Sequence, residues 1–308
     1  MKNEFYFPSA DGVNRIHAVE WVPENEVKAV LQISHGMVEY IERYEPFAEY
    51  LNGFGIYVTG NDHLGHGKTA ADSEHFGYFG HPDGLSFVLS DIHTLRTLTE
   101  EKYPNVPYFL MGHSMGSFLV RNYISRHGEG LCGTVIMGTG SQPTAALDFG
   151  MTLCKILACF KGWTARVKAV NDLVFAQNKR FEKADGQGNW LSRNQENVDN
   201  YAKDPFCSFI FTLDGFYHLF SCIKYIQKKS SIEKTADCPL LLVSGADDPV
   251  GNCGKGVKKA YDRYIAAGKK AEMKLYADDR HEILNELDRD TVYADIKNWL
   301  AKTGGLPL

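Results

Sequence analysis

The pentapeptide Gly-His-Ser-Met-Gly at residues 112–116 constrains the fold of this chain more than any other feature. It follows an apolar run at residues 106–111 and precedes a segment with helical character at residues 117–123. Glycines two positions before and two positions after a serine, between a strand and a helix, predict a turn in which any Cβ at those glycines would clash. Such a turn lifts the Ser114 hydroxyl clear of the sheet, where other reactive groups can meet it.

Length and composition are those of an ordinary globular chain. Its 308 residues suffice for one large α/β domain or two smaller ones, and 44% of them are hydrophobic. The net charge of −5 disfavours a nucleic-acid partner, and no apolar run approaches the ~20 residues that cross a bilayer. The start of the chain lacks a secretory apolar segment, and the seven cysteines are scattered without a Cys-x-x-Cys pair. We therefore expect reduced thiols and a cytoplasmic protein.

Strand-like and helix-like patterns alternate along most of the chain, which predicts an α/β fold with a parallel sheet covered by helices on both faces. The start of the chain is typical of a hairpin that turns at Asp11 and Gly12, and Gly53 is predicted to follow the first helix as its C′ residue. The predicted strands are residues 4–7, 16–22, 28–34, 55–60, 106–111, 131–137, 238–245 and 271–276; the predicted helices are residues 44–52, 85–103, 117–123, 256–267 and 290–302.

The alternation breaks after the sixth predicted strand. Residues 141–235 contain helix-like patterns but no convincing strand, and the alternation resumes at residue 238. We therefore predict a first core part at residues 1–140, a helical insertion at 141–235 and a second core part at 236–308.

The loops after later strands supply partners for Ser114. A serine hydroxyl is a weak nucleophile until a histidine accepts its proton, and an acid must hold that histidine in the right tautomer. Asp247 and Asp248 follow the strand that closes at Gly245, and the Gly-x-x-Asp spacing favours Asp248, with Asp247 as a turn or surface residue. His281 follows the next strand and is the only histidine beyond the acid. The chain order serine, acid, histidine therefore predicts a triad of Ser114, Asp248 and His281.

Two backbone N–H groups are expected to hold the oxyanion of a tetrahedral intermediate. One belongs to Met115, at the start of the helix that follows Ser114, where the helix dipole adds to the effect. The other is assigned to Met37, in the loop after the strand at residues 28–34. His35 in the same loop is interpreted as structural.

The residues so far match a known family. The chain resembles the monoacylglycerol lipase and lysophospholipase branch of the α/β-hydrolases over nearly its whole length, which implies a mostly parallel sheet, helices on both faces and a helical cap at residues 141–235. It also implies esterase chemistry on one acyl chain attached to a small polar head. The segments that carry the resemblance are residues 35–39 with 43–44, 62–67, 112–116, 191–194 with 204–205, 245–248 and 280–284.

The resemblance also implies substrate-binding residues. In such enzymes an acid and an arginine after the oxyanion loop line the pocket for the polar alcohol, and here Glu39 and Arg43 stand at those places. For Arg43, a structural ion pair is an equal alternative. Mammalian monoglyceride lipases carry a pocket histidine three residues beyond the catalytic one, where this chain has Leu284. A different alcohol from glycerol, or a broader range, therefore stays open.

Other features allow two interpretations each. The pair His63 and His66 is interpreted as part of a hydrogen-bonded loop rather than as a metal site, because no further ligand cluster accompanies it. An apolar set at helical spacing either packs within the cap or forms a lid that meets lipid surfaces; it comprises Phe149, Leu153, Ile156, Leu157 and Phe160. Cap aromatics either fill the core or wall an acyl tunnel; they are Phe206, Phe209, Phe211, Phe216, Tyr217 and Phe220.

The sequence thus predicts a cytoplasmic serine hydrolase that needs no cofactor or metal and takes a small-molecule acyl ester. An aminopeptidase, a thioesterase or an acyltransferase stays open, since fold and triad do not separate them. A peptidase would need acids in the cap to hold an α-amino group, and Glu182, Asp185, Glu196 and Asp199 are available. A non-catalytic binding protein is disfavoured by the intact triad. Epoxide hydrolase or dehalogenase chemistry is disfavoured because those enzymes have Asp at the position that Ser114 occupies in this turn. The oligomeric state stays undetermined.

Overall fold

An eight-stranded β-sheet forms the centre of the computed structural model, which describes residues 1–178, 181 and 189–307. The strand order is β1-β2-β4-β3-β5-β6-β7-β8, with β2 antiparallel to β1 and β4 and all other neighbours parallel. The strands are β1 (Lys2–Pro8), β2 (Arg15–Trp21), β3 (Ala29–Ser34), β4 (Ile56–Asn61), β5 (Tyr108–His113), β6 (Gly133–Met137), β7 (Leu240–Gly245) and β8 (Ala271–Tyr276).

Helices separate the parallel strands, as the alternating pattern predicts. The described α-helices are α1 (Glu45–Asn52), α2 (Gly84–Lys102), α3 (Met115–His127), α4 (Thr144–Lys161), α5 (Lys168–Val174), α6 (Gln195–Lys203), α7 (Leu213–Ile226), α8 (Lys229–Glu233), α9 (Lys255–Ala266) and α10 (Arg289–Gly304). This is the α/β-hydrolase fold that the resemblance implies, and the predicted strands and helices outside residues 141–235 are confirmed to within a few residues.

The central strands are buried on both faces, which explains their largely apolar sequences. Along β5, Leu110 packs into the core under α2 and α3, whereas Phe109 and Met111 pack into the core under α1 and α10. The sheet is therefore held rigidly between two apolar layers, and the loops at its carboxyl edge are fixed in position.

One prediction about a turn is wrong. Gly53 keeps a right-handed conformation, with φ of −56°, and the left-handed residue after α1 is Gly55, with φ of +79°. A Cβ at Gly55 would also press on the Glu26 carbonyl. The left-handed conformation that favours glycine therefore occurs just before β4, at Gly55, two residues after the position predicted from the end of the helix.

Between β6 and β7 the described residues form helices and one isolated β-bridge, Arg166 with Thr212. The boundaries at residues 141 and 235 remain a prediction. Within the described ranges, no helix combines the length and the apolar character that a membrane crossing demands. The seven cysteines form no disulfide.

Candidate active site

Ser114 lies in the tight turn that its flanking glycines predict. It connects the end of β5 to the start of α3 with φ of 53° and ψ of −119°, a strained backbone conformation for a residue with a Cβ. A Cβ on Gly112 would overlap the Gly116 carbonyl, and a Cβ on Gly116 would overlap the Ser34 carbonyl of β3. The two glycines are therefore required by close backbone approach, and the serine is raised above the sheet edge.

His281 and Asp248 meet at the neighbouring strand ends. Asp248 is fully buried, and its Oδ2 lies 3.0 Å from Nδ1 of His281 and accepts a hydrogen bond from the Ser244 hydroxyl at 3.0 Å. Its Oδ1 accepts the Val250 N–H at 2.8 Å. Burial alone would raise the pKa of Asp248, but His281 and these hydrogen bonds outweigh it and lower that pKa. The ionised carboxylate fixes the proton on Nδ1 and leaves Nε2 as the basic nitrogen.

The alternative acid, Asp247, is exposed to solvent. Its N–H donates to the Asp279 carbonyl, which keeps it in the turn beside β8. The structure thus places Asp248, and not Asp247, against His281.

Ser114, His281, Met37 and Met115 line one cavity of about 850 Å³. Its far walls come from the segment between β6 and β7 and are mostly apolar, although Lys168, Asn171 and Asp172 of α5 also line them. The apolar side chains include Leu147, Phe149, Leu173, Phe209, Leu219 and Phe220. The cavity volume lies within the range of sites that bury a small organic ligand. The predicted nucleophile, base and oxyanion residues are therefore brought to one end of a mostly apolar chamber.

Beside the triad, four charged side chains form a buried cluster, which we call the charge quartet: Glu39, Arg43, His113 and Glu282. Arg43 makes a bidentate pair with Glu282, at 2.7 and 2.8 Å, and also donates to Glu39 at 3.0 Å. Glu39 lies 3.0 Å from Nδ1 of His113. None of the four side chains is more than 11% exposed.

The hydrogen-bond partners fix the charges of the quartet. Nε2 of His113 faces the His281 carbonyl at 3.2 Å, so it carries a proton, and Nδ1 faces the Glu39 carboxylate. Burial would raise the pKa of Glu39, but His113 and Arg43 lower it to about 2, so Glu39 is ionised and Nδ1 is protonated too. The Glu39 carboxylate likewise outweighs burial and raises the pKa of His113. The formal charges of two carboxylates, one guanidinium and one imidazolium sum to zero, and this neutrality reduces the free-energy cost of burying them.

The quartet ties together the three loops that carry the predicted machinery. Glu39 accepts the Gly36 N–H in the oxyanion loop and the Tyr44 hydroxyl. His113 directly precedes Ser114, and Glu282 directly follows His281. Glu39 and Glu282 contribute to the lining of the cavity, whereas Arg43 lines a separate small void behind them.

Sequence reasoning found Glu39 and Arg43 but missed His113 and Glu282 as partners. Arg43 and Glu282 are 239 positions apart, and the one available signal was that His113 and Glu282 each adjoin a triad residue. Leu284 is buried in the core under α1 and α10, where it lines the void behind the quartet.

The loop with two histidines braces the oxyanion loop from below. Nε2 of His63 lies 3.0 Å from the Ser34 hydroxyl, and the backbone N–H of His63 donates to Nε2 of His35. Nδ1 of His35 donates to the Gly36 carbonyl, and that of His66 to the Leu64 carbonyl. Burial lowers the pKa of His63 to about 3 and that of His66 to about 4, so both rings are neutral. His35 has the structural position that the sequence predicts.

The predicted cap side chains include buried, cavity-lining and exposed residues. Phe211 and Phe216 are buried core residues, while Phe209 and Phe220 line the cavity. On α4, Phe149, Ile156 and Phe160 are 60%, 53% and 84% exposed. Of the acids named for a peptidase, Glu196 and Asp199 are exposed, and Glu182 and Asp185 lie outside the described residues.

Comparisons with known proteins give the family of the chain. A family model described as serine aminopeptidase, S33, matches residues 25–288. A monoacylglycerol lipase of Mycolicibacterium smegmatis is 26% identical over 302 residues, which cover 97% of this chain and 97% of that protein. Human monoglyceride lipase is 26% identical over 296 residues, which cover 92% of this chain and 85% of that protein.

Solved structures extend the likeness to the whole fold. A thermostable carboxyl esterase from Bacillus coagulans in complex with glycerol has a TM-score of 0.91 and 30% identity, covering 98% of this chain and 99% of that chain. A lipase in its open form has a TM-score of 0.88 and 27% identity, covering 99% of each chain. The chain therefore belongs to the serine aminopeptidase S33 family of the α/β-hydrolases, on the monoacylglycerol lipase branch, and is a hydrolase of the lipase or esterase kind.

Proposed function

We propose that the protein is a cytoplasmic serine carboxylic-ester hydrolase that acts on esters with one acyl chain, of the monoacylglycerol or lysophospholipid type. The observation that carries the proposal is that Ser114 and His281 stand at the polar end of a chamber whose remaining walls are largely apolar. An acyl chain fits the apolar walls by the hydrophobic effect, and its carbonyl then lies at the serine.

The proposed reaction uses a covalent acyl-enzyme. Ser114 Oγ attacks the ester carbonyl while Nε2 of His281 accepts its proton, and Asp248 stabilises the imidazolium that forms. The oxyanion accepts hydrogen bonds from the N–H groups of Met37 and Met115. His281 then protonates the leaving alcohol, and a water molecule activated by the same nitrogen hydrolyses the acyl-enzyme. The steps require no cofactor.

For the alcohol part of the substrate, we propose contact with Glu39 and a supporting role for Arg43. Glu39 contributes to the cavity lining, and Arg43 contacts it from the void behind. Because the quartet is neutral as a whole, it suits a polar uncharged group better than an ionic one. The alcohol specificity then depends on which substrate hydroxyls can contact Glu39 at this end of the cavity.

We also propose that α4 touches a lipid surface when substrate enters. Phe149 lines the cavity and is 60% exposed, so the apolar stripe that continues through Ile156 and Phe160 starts at the cavity itself. α4 lacks the combination of length and apolar character that a membrane crossing demands, and an exposed apolar stripe on such a helix suits shallow insertion into the headgroup region.

Aminopeptidase activity is the second candidate, because the matching family model is described by that activity. A peptide substrate would need an unneutralised carboxylate for its α-ammonium group. Three described carboxylates line the cavity, and each already pairs with a cation: Glu39 and Glu282 with Arg43, and Asp172 with Lys168. The cavity chemistry therefore favours an ester with an apolar chain.

The test is a hydrolysis profile of the wild-type chain and of Ser114→Ala. The panel contains p-nitrophenyl esters from short to long chains, a monoacylglycerol, a lysophospholipid and an aminoacyl anilide. We expect Ser114-dependent hydrolysis, with a preference for the monoacylglycerol or for medium and long esters. Cleavage of the anilide alone would move the chain to the peptidases, and activity confined to the shortest esters would contradict the acyl-chamber assignment.

A further inference from the structure

Three side chains outside the active site point their ligand atoms at a common point. They are His81, in the loop before α2, and Asp214 and His218, one turn apart on α7. Nδ1 of His81, Oδ1 of Asp214 and Nε2 of His218 all lie within 4.8 Å of one another. Asp214 is fully buried and His218 is 3% exposed.

All three ligand atoms are buried and make no hydrogen bond with the described residues. Buried polar atoms without partners are rare in folded proteins, and three at one point are rarer still. Oδ1 of Asp214 lies 3.1 Å from Nε2 of His218, yet the pair does not meet hydrogen-bond geometry. Both atoms are therefore left without a hydrogen-bond partner in the described part of the chain, although they lie close together.

The spacing of these atoms fits a small ion. Ligands about 2.0–2.1 Å from a tetrahedral centre stand about 3.3 Å apart. Oδ1 of Asp214 is 3.1 Å from the His218 nitrogen and 3.7 Å from the His81 nitrogen. The other carboxylate oxygen of Asp214 accepts the Phe79 N–H at 2.7 Å, which holds Oδ1 aimed at the shared position.

We propose that His81, Asp214 and His218 bind one divalent transition-metal ion, with zinc as the physiological ion. Two imidazoles and one carboxylate suit zinc, whereas magnesium and calcium prefer oxygen ligands. The His81 side chain is 28% exposed as a whole, so its side of the site lies nearest to solvent, from which a water molecule would supply the fourth ligand. The sequence indicated no metal site, because His81 is 133 positions from Asp214.

The proposed ion joins α7 to the loop before α2. The ring of Trp163, from the segment after α4, stacks on His81 with centroids 3.9 Å apart, and its carbonyl accepts the Asp214 N–H. Leu219 and Phe220 follow His218 on α7 and line the substrate cavity. The ion would hold the cavity wall against the core, and it takes no part in ester hydrolysis.

The test uses the full-length chain after dialysis against EDTA and then against metal-free buffer. Zn²⁺ is titrated by calorimetry, and Co²⁺ is added separately to read the visible spectrum of its coordination geometry. We expect one equivalent of Zn²⁺, a tetrahedral Co²⁺ spectrum and a rise in Tm on Zn²⁺ addition that EDTA reverses.

The variants are His81→Gln, His218→Gln and Asp214→Asn, and the control is His75→Gln. His75 is an exposed histidine 2.7 Å from Asp72, and within the described part of the chain this surface pair has no third ligand. Each site variant is expected to weaken Zn²⁺ binding at least about 100-fold, and the control is expected to leave it unchanged. Asp214→Asn still offers an oxygen to the Phe79 N–H, and His81→Gln changes a partly exposed side chain, so both are expected to fold.

Two results would overturn the proposal. One is the absence of stoichiometric Zn²⁺ binding by the folded wild-type chain, which would mean that the three residues form an ion-free His–Asp–His cluster. The other is equal binding and an equal Co²⁺ spectrum in wild type and in the folded site variants, which would place the ion elsewhere. Neither result depends on ester hydrolysis.

Discussion

At its sheet end the cavity is bounded by loops whose side chains each make several hydrogen bonds. At its helical end it is bounded mostly by apolar side chains, which are held by van der Waals packing. Asp248 has three hydrogen-bond partners and Glu39 has four. Phe149 and Phe160 lie on the exposed side of α4. The contrast teaches that hydrogen bonds fix the geometry of the sheet edge, and it supports the proposal that substrate choice depends on the apolar surfaces of the helical end, which can vary without disturbing that edge.

The largest expected effect is at the acid of the proposed triad. Asp248→Asn keeps the shape of the side chain but lets its amide favour the wrong tautomer of His281, so we expect kcat for a p-nitrophenyl ester to fall by about 10⁴-fold. Steady-state kinetics on folded protein measure this. Asp247→Asn is the matched control, and it is expected to leave kcat within about twofold because Asp247 is exposed.

If the two variants lost the same activity, the assignment of the acid to Asp248 would be wrong. If neither lost activity, the sheet edge would not be the reactive end of the cavity.

The next effect is on stability. Arg43→Met leaves two buried carboxylates with one cation, the His113 imidazolium beside Glu39, so we expect the free energy of unfolding to fall by about 3–5 kcal/mol. Urea titration measures this loss. Lys258→Met breaks an exposed pair with Asp262 and is expected to change the unfolding free energy little.

The same variant gives a pH signature. The pKa values of Glu39 and Glu282 are lowered in the folded chain, so their stabilisation is present above their unfolded values near 4.5 and is lost as pH falls through the folded values. The stability difference between wild type and Arg43→Met is therefore expected to be full at neutral pH and to shrink below about pH 4.5. A difference that stayed constant down to the lowest pH at which both chains fold would contradict the charge assignment.

A smaller effect is expected at the apolar wall. Leu219→Trp fills part of the chamber, so kcat/KM for a long-chain ester is expected to fall by about tenfold while that for a butyrate ester changes by less than about twofold. Ile265→Trp, on the exposed side of α9, controls for the added ring. Equal losses on both esters would mean that the helical end does not select the chain.

The smallest effect is expected at the exposed stripe of α4. Phe160→Ser is expected to weaken binding to phospholipid vesicles by about threefold to tenfold and to leave hydrolysis of a dissolved butyrate ester unchanged. Leu287→Ser removes a similarly exposed apolar side chain on another surface and is the control. Vesicle sedimentation measures both variants, and equal binding by wild type and Phe160→Ser would contradict the lipid-facing role.

The same contrast explains which parts of the structure could be predicted from the sequence. Glycine spacing around Ser114 and the apolar runs of the strands are local signals, so the sheet, the tight turn and the meeting of Asp248 with His281 follow from short segments. The contact of Arg43 with Glu282 and that of His81 with Asp214 join residues more than a hundred positions apart. No periodicity encodes such pairs, and they depend on how the loops and helices pack.

The helical end is the least predictable for the same reason. Five apolar residues at helical spacing on α4 gave no indication of which side faces inward. In the folded chain Gly150 lies against the Phe220 ring of α7, which a Cβ there would overlap, and Cys154 one turn later is fully buried. Phe160 lies on the side of α4 that is exposed. A glycine that permits close helix packing, rather than the hydrophobic pattern, decides the exposed face.

The central claim is that Ser114 is the nucleophile, and the most direct measurement is labelling with a fluorophosphonate followed by mapping of the modified residue by mass spectrometry. Ser117, whose buried hydroxyl donates to the Ser114 carbonyl, is an internal control in the same segment. We expect one adduct, on Ser114, with loss of ester hydrolysis in proportion to labelling and no adduct in folded Ser114→Ala. Absence of labelling in the folded wild-type chain, or an adduct on another serine with activity lost, would contradict the account.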